Sequence, residues 1–396
     1  MSMNQQPADR VTVIVLDGVG CGEAPDAAAY GDVGADSIGN AARAIGGMRL
    51  PNLGRMGLGH LTGIRGVPPD PAPSALYGKL QEASAGKDTV TGHWEMMGIV
   101  LDRPFPVFPN GFSAEVIAAF ARHTGRGVLG NRAASGTEII DALGPEHMRS
   151  GSFIVYTSAD SVFQIAAHED IVPVPELYRA CEIAYALVGE GLGVGRVIAR
   201  PFVGTPGHFR RTTNRRDYAL PPAGETLLDR VKAAALPVVA IGKIEDLFAG
   251  RGITRAIHTK SDDDGMDWVE REMETVERGL IFTNLVDFDT QYGHRNDIEG
   301  YAKNLERFDA RLSAILSRLR EDDLLIVTAD HGNDPTTPST DHAREYVPLI
   351  VAGRHVRAGV DLGTRRTFAD LGQTLADVLG VGRLAHGTSF LAEITA

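Results

Sequence analysis

At 396 residues, with 43% apolar and 23% charged side chains, the chain can hold two or three domains with sizeable cores. Its 39 basic and 51 acidic residues give a net charge of −12, which excludes a general nucleic-acid binder with a basic face but not a small anionic ligand held by local Arg and Lys. Only two widely separated cysteines, Cys21 and Cys181, a polar N-terminus and no membrane-length apolar run exclude a disulfide scaffold and a membrane span, and predict a cytoplasmic chain.

In chain order, short apolar runs predict buried strands at Val11–Leu16, Phe153–Tyr156, Pro237–Ile241, Leu280–Val286, Leu324–Thr328 and Pro348–Val351. They are rich in Val, Ile and Leu without alternation, as strands covered on both faces should be. Helical patterns lie between them, at Glu176–Glu190 and most clearly at Tyr301–Arg320, where Leu305, Phe308, Leu312, Ile315 and Leu319 recur at steps of three and four. This alternation predicts an α/β fold with a mostly parallel sheet flanked by helices. Proline clusters at Pro104, Pro106 and Pro109, and at Pro221 and Pro222, are hinge signals. Between them lie strand and helix patterns without a dense acid–histidine cluster. The expectation is a smaller α/β cap domain at 104–219, inserted into a discontinuous metal-binding catalytic core of 1–103 and 220–396. Ser261–Gly265, with three aspartates in a row, reads as a solvated loop.

Acidic residues and histidines follow several of the expected strands. Asp17 follows the first, and Asp287 and Asp289 follow Leu280–Val286, with His294 close behind. Asp330 and His331 follow Leu324–Ala329, and His342 comes shortly after, with Asp334 and Asp341 between. The carboxyl ends of parallel strands share one edge, so these residues can converge there. One Asp-His pair is as readily a capped turn; three acid-bearing strand ends favour a divalent metal site. The number of ligands suggests two ions, which at about 3.5–4 Å apart can clamp the attacking and leaving oxygens of phosphoryl transfer. Spacing alone does not divide the ligands between them.

A second feature is Gly86-Lys87-Asp88-Thr89-Val90-Thr91-Gly92-His93-Trp94-Glu95. A hydroxyl in this turn could sit at a helix N-terminus, where an anion is favoured. Asp88, Thr89 or Thr91 could equally be an ordinary N-cap. Beside a metal pair, such a hydroxyl could serve as a nucleophile. Basic residues form a third group: Arg196 and Arg200 flank Val197–Ala199, Arg210 and Arg211 follow Gly207-His208, and Lys243 follows Ile241-Gly242. Together they are candidate anchors for a phosphate that does not react. The run from Gly130 to Glu138 is either a polar ligand loop or a structural turn.

From Val11 onward the chain resembles the phosphopentomutases of the alkaline phosphatase superfamily. The resemblance rests on Leu16-Asp17-Gly18-Val19-Gly20, on Lys87-Asp88-Thr89 with Thr91-Gly92-His93-Trp94-Glu95, and on Ala134-Ser135-Gly136-Thr137-Glu138. It continues through Tyr156-Thr157-Ser158-Ala159-Asp160-Ser161, Asp287-Phe288-Asp289 with Tyr292-Gly293-His294-Arg295, and Asp330-His331-Gly332-Asn333-Asp334-Pro335-Thr336 with Asp341-His342. Gly18, where many relatives carry Ser, and Cys21 depart from the family pattern without touching an expected ligand.

The resemblance implies an alkaline-phosphatase-like core with an inserted cap. It implies interconversion of α-ribose 1-phosphate and ribose 5-phosphate, and of the 2-deoxy sugars, through a phosphothreonine enzyme and a pentose 1,5-bisphosphate. Two Mn²⁺ ions are implied, with Mg²⁺ or another divalent metal as substitutes: one held by Asp289, His294 and His342, the other by Asp17, Asp330 and His331 beside the Thr89 oxygen. Thr89 would carry the phosphoryl group, and Ser158, Asp160, Arg196, Arg210 and Lys243 would orient the sugar and its distal phosphate. A sugar bisphosphate such as glucose 1,6-bisphosphate would load the enzyme. Small sugar phosphates are the expected partners, with no nucleic acid and no membrane; the oligomeric state stays open, and a monomer is compatible with the sequence. The rival readings are a metal-dependent phosphatase or sulfatase of the same superfamily, a cofactor-independent phosphoglycerate mutase, and a non-catalytic metal- or phosphate-binding protein.

Overall fold

The run after Asp9 forms the strand Arg10–Leu16, every residue of which is buried. In this computed structural model, which describes residues 8–158 and 161–395, that strand pairs in parallel on both sides, with Gly279–Leu285 and with Asp323–Thr328. Its Val and Ile side chains suit a position flanked on both edges and covered on both faces. Around it lies an eight-stranded sheet in the order 255–257, 238–241, 279–285, 10–16, 323–328, 347–352, 76–80, 361–365. The first five strands are mutually parallel. Val347–Ala352 is antiparallel to both its neighbours, and Asp361–Arg365 is parallel to Leu76–Leu80. The fold is thus α/β with a mainly parallel sheet and intervening helices.

The chain divides into two compact units, Met1–Pro104 with Pro222–Ala396, and Phe105–Pro221. The eight-stranded sheet belongs to the larger unit. Its longest helix, Ile298–Ser317, buries Tyr301, Leu305, Phe308, Leu312 and Ile315. It starts three residues earlier than the apolar pattern implies because Asp297 caps it, accepting the Gly300 N–H at 2.9 Å. Ser261–Gly265 is not a solvated loop. Ser261 caps the helix Asp262–Thr275, and the three aspartates fill its first turn, where the helix dipole favours negative charge. Asp262 is buried there, bound by Asn304 Nδ2 at 2.6 Å and by the Asp287 N–H at 2.9 Å.

Among the described residues the smaller unit has a sheet in the order 128–133, 153–157, 162–168, 196–203, 210–211, with 216–219 also paired to 196–203. One apolar cluster gathers Phe112, Phe120, Phe153, Phe163 and residues of the helix Val174–Ala184. That helix continues through a wide turn, Tyr185–Gly189, into Glu190–Leu192. A second cluster gathers Ile139 and Ile140 of the helix Gly136–Ser150 with Ile154, Tyr156, Ala166 and Phe202 of the strands.

Candidate active site

Parallel register brings the strand ends of the larger unit together. Leu16 aligns with Leu285, and Val15 with Thr328. The residues that follow leave the sheet at one edge: Asp17, then Asp289 in a single wide helical turn, Phe288–Tyr292, then Asp330 and His331. There His331 Nε2 lies 3.2 Å from Asp17 Oδ1 and 3.3 Å from Asp330 Oδ2. Asp289 meets His342 Nε2 at 3.5 Å through Oδ1 and His294 Nε2 at 3.2 Å through Oδ2. Two buried triads present one ligand atom per residue within 4.8 Å of one another: Asp17, Asp330 and His331, and Asp289, His331 and His342. His331 belongs to both, whereas His294 stands beside Asp289 outside the two triads.

Neighbouring groups orient these side chains. His294 Nδ1–H donates to the Thr340 carbonyl at 2.6 Å, and His331 Nδ1–H to the Gly332 carbonyl at 3.0 Å, so each ring turns Nε2 towards the carboxylates. Asn284 Nδ2 donates to Asp17 Oδ2 at 3.1 Å, and Asn333 Nδ2 to Asp289 Oδ1 at 2.7 Å. Burial pushes the Asp17 carboxyl up, but Lys243 and His331 outweigh it and leave the group below its ordinary value. Burial likewise opposes ionisation of Asp289, yet His342 and His294 hold it well below. For His331, burial disfavours the charge, but Asp330 and Asp17 raise the ring well above a free imidazole. These buried carboxylates call for a positive partner. Asp330 Oδ2 is buried with no hydrogen-bond partner, and the donor set is oxygen and imidazole nitrogen; both features suit a divalent cation.

Thr89 stands beside this cluster. It is the first residue of the helix Thr89–Met96, with Oγ1 3.1 Å from His331 Nε2 and 3.5 Å from Asp17 Oδ1. Asp88 is the N-cap and takes the Val90 and Thr91 N–H groups at 3.0 and 3.1 Å. The expectation that helix N–H groups are available to an anion is therefore corrected: a carboxylate already holds two of them. Thr91 Oγ1 donates to Asp88 Oδ2 at 2.5 Å, a structural bond. Gly92 rests on the cluster's own backbone: a Cβ there would lie 2.1 Å from the Asp330 carbonyl oxygen. Glu95 anchors the same helix by accepting from Ala83 N, Ser84 N, Thr367 Oγ1 and Phe368 N at 2.6–2.9 Å.

Four supports went unread in the sequence. His93 Nδ1–H donates to the Thr89 carbonyl at 2.8 Å, and its Nε2 accepts from Asn284 Nδ2 at 3.3 Å, linking the helix Thr89–Met96 to Asp17. Asn284 and Asn333 are two more. Arg344, two residues beyond His342, donates to Glu82 and to the Gly86 carbonyl, both at 2.6 Å, and so fixes the loop leading to Thr89. His93 sat within the motif, but a buried amide or guanidinium has no periodicity to betray it.

The expected substrate contacts fall in both units. Lys243 Nζ lies 3.9 Å from Asp17 Oδ2. In the smaller unit Arg196 stands 3.9 Å from Asp217, Arg210 is exposed on a two-residue strand, and Ser158 follows the strand Phe153–Thr157. Asp160 lies outside the described residues. No helix among the described residues is long and apolar enough to cross a membrane.

Comparison with known proteins agrees with this chemistry. The metalloenzyme superfamily model matches residues 9–383. The phosphopentomutase of Kosmotoga olearia is 58% identical over 386 residues, 97% of this chain and 99% of that protein. That of Anaeromyxobacter dehalogenans strain 2CP-C is 58% identical over 396 residues, the whole of both chains. Among solved structures, the Leishmania mexicana phosphoglycerate mutase at low cobalt concentration aligns with a TM-score of 0.50 at 13% identity, over 98% of each chain, a likeness of fold alone. The chain belongs to the metalloenzyme superfamily and, within it, to the phosphopentomutases. It is an enzyme of the isomerase class, a phosphomutase that uses divalent metal and acts on sugar phosphates.

Proposed function

We propose that this cytosolic enzyme interconverts α-D-ribose 1-phosphate and ribose 5-phosphate, and the 2-deoxy pair, through phospho-Thr89. The observation that carries the reading is the Thr89 hydroxyl, 3.1 Å from His331 Nε2 and 3.5 Å from Asp17 Oδ1. Asp289, His294 and His342 would hold one Mn²⁺, and Asp17, Asp330 and His331 the other. Bound there, the ions supply positive charge against phosphoryl oxygens and lower the pKa of a nearby hydroxyl. Thr89 holds the phosphoryl group in line with the incoming sugar hydroxyl, and the His93 and Glu95 contacts keep its helix in register.

In the first half-reaction the bond from phosphorus to the Thr89 oxygen breaks and one to the sugar oxygen forms. The sugar hydroxyl gives up its proton as the Thr89 oxygen regains one. The resulting pentose 1,5-bisphosphate turns end for end and returns its other phosphoryl group to Thr89. Ser158, Asp160, Arg196, Arg210 and Lys243 would contact the sugar and the phosphate that is not reacting. A sugar bisphosphate such as glucose 1,6-bisphosphate would phosphorylate Thr89 at the outset.

The test is to incubate the Mn²⁺-loaded enzyme, primed with a sugar bisphosphate, with ribose 1-phosphate. Ribose 5-phosphate together with a phosphate mapped to Thr89 supports the proposal. Free ribose and phosphate would mean a hydrolase, and a phosphate on Thr91 would overturn the assignment of the nucleophile.

A further inference from the structure

Lys87 stands two residues before Thr89, and its ammonium turns away from solvent towards two carboxylates. Its side chain is 18% exposed. Nζ lies 3.2 and 3.0 Å from the two oxygens of Asp32 and 3.6 Å from Asp341 Oδ2. A surface lysine gains little from such a bridge and loses rotamer freedom by making it, so stability alone gives weak reason for this geometry. Asp341 directly precedes His342, and its other oxygen, Oδ1, accepts the His342 N–H at 2.9 Å. One carboxylate therefore joins the backbone of His342 to the ammonium of Lys87.

Asp32 makes a second link. Its Oδ2, which accepts from Lys87, also accepts the Arg344 N–H at 2.8 Å. His342 is thus bracketed: the carboxylate before it and the backbone after it both connect to Lys87. The buried Arg344 guanidinium meets the carbonyl of Gly86, the residue before Lys87, so bonds cross between the two segments in both directions. On its other side His342 presents Nε2 to Asp289 Oδ1 at 3.5 Å and belongs to the triad of Asp289, His331 and His342. Beyond Lys87, Asp88 caps the helix and Thr89 Oγ1 reaches His331 Nε2 at 3.1 Å. The circuit runs from the triad through His342, Asp341 and Lys87 to Thr89, and closes on the same triad. All of it lies in the larger unit.

We propose that Lys87 is a positioning residue that makes the placement of Thr89 depend on metal at His342, acting through Asp341 and Asp32. With metal bound, His342 is fixed at Nε2. The Asp341 carboxylate on its N–H then holds Lys87, and with it the turn that presents Thr89. The forked guanidinium of Arg344 fixes the frame, whereas an ammonium on a flexible stem suits a link that must respond. A displacement of about 1 Å in a reacting group can cost about 100-fold in rate, so a modest bridge here reaches the chemistry. The inference rests on the reading of His342 as a metal ligand and, for its effect on turnover, on the mutase reading.

The test follows backbone hydrogen exchange of residues 82–88 in the full-length protein, with and without saturating Mn²⁺. It compares Lys87→Met, which keeps the length and removes the charge, with Lys87→Arg, which keeps the charge. A third variant, Asp341→Asn, can still accept from the His342 N–H but loses its charge towards Lys87. In the unaltered protein and in Lys87→Arg, Mn²⁺ should slow exchange there by about tenfold. In Lys87→Met and Asp341→Asn the metal content at saturation should be unchanged and the slowing lost. In steady-state assays Lys87→Met should lower kcat by about tenfold or more with KM within about twofold, and Lys87→Arg should recover most of the loss. The double variant Lys87→Met/Asp341→Asn should be no slower than Lys87→Met, because both changes break one bridge. Exchange at 82–88 that ignores Mn²⁺ in the metal-loaded unaltered protein would overturn the proposal, as would slowing that survives in both Lys87→Met and Asp341→Asn. If Lys87→Met does not fold, Asp341→Asn alone decides. A protein that takes up no Mn²⁺ would refute the metal reading and this coupling together. One that shows the exchange pattern without mutase activity would refute the proposed function and leave the coupling standing.

Discussion

At the edge of the larger sheet, Asp17, Asp289 and Asp330 are buried among imidazoles; on the smaller sheet, Arg200 and Arg211 stand against an amide, a hydroxyl and a phenol. One region gathers carboxylates around imidazoles, and in the other two guanidinium groups hydrogen-bond to neutral partners. Ordinary stabilising networks pair such groups, as Arg344 does with Glu82 and Asp26. The difference teaches that imbalance, rather than charge itself, marks where a ligand belongs.

The hardest break is Thr89→Val. It keeps the shape and removes the hydroxyl, so turnover should fall by about 10⁴-fold or more while metal content and folding persist. Near-normal turnover by steady-state assay would end the assignment. Thr91→Val should instead lose only the bond to Asp88, about 1 kcal/mol of stability, seen as a modest drop in Tm. Chelation comes next: stripping divalent ions from the acidic edge should cost about 10³-fold or more in rate, reversed by added Mn²⁺. A metal-free protein that retains full rate would remove the reason for burying those carboxylates.

Gly92→Ala probes the mechanical side. A new Cβ against the Asp330 carbonyl must push the helix Thr89–Met96 away, and a shift near 1 Å should cost about 100-fold in kcat. An unchanged kcat would mean that the helix need not touch the cluster. A last test concerns Glu345, which accepts from Ser37 N and Ser37 Oγ at 2.8 and 2.6 Å. Burial, aided by Asp334 and Asp36 and opposed by the Ser37 bonds, raises it from 4.5 to about 8. Between those values the unfolded chain releases this proton while the native state keeps it, so the group's contribution to stability declines as pH rises through that window. Glu345→Gln has no proton to release. Its stability relative to the unaltered protein should climb by a few kcal/mol from about pH 4.5 to 8 and then level off, as a series of Tm measurements would show. A constant offset across the series would show that the native carboxyl is ionised throughout.

The strand cores and the acids that follow them were legible because a buried parallel strand leaves an unbroken Val/Ile/Leu run, and the candidate ligands Asp17 and Asp330 come directly after such runs. The place of Thr89 at a helix start was legible from its glycine-bounded turn. Less visible was who meets whom. That His331 belongs to both triads follows from register between strands far apart in the chain. The short strands Leu76–Leu80 and Asp361–Arg365 carry Gly, Lys, Asp and Thr and leave no apolar run. Ser261–Gly265 misled because a row of aspartates looks solvated, yet the same row is what a helix start favours. The Asp88 cap was among three candidates, and only coordinates showed that it claims two of the N–H groups an anion would use.

The order of the parts along the chain has a consequence for biosynthesis. Asp17 and Thr89 leave the ribosome early, the whole of Phe105–Pro221 follows, and Asp289, His331 and His342 emerge late. The inserted unit can fold as it appears, whereas the discontinuous one must keep its first hundred residues waiting for strands made after the insertion. Both triads exist only once His342 has been translated and the strand Asp323–Thr328 has docked beside Arg10–Leu16. Metal capture by the native site is therefore a late event of maturation, and nascent or truncated chains present its carboxylates without their partners.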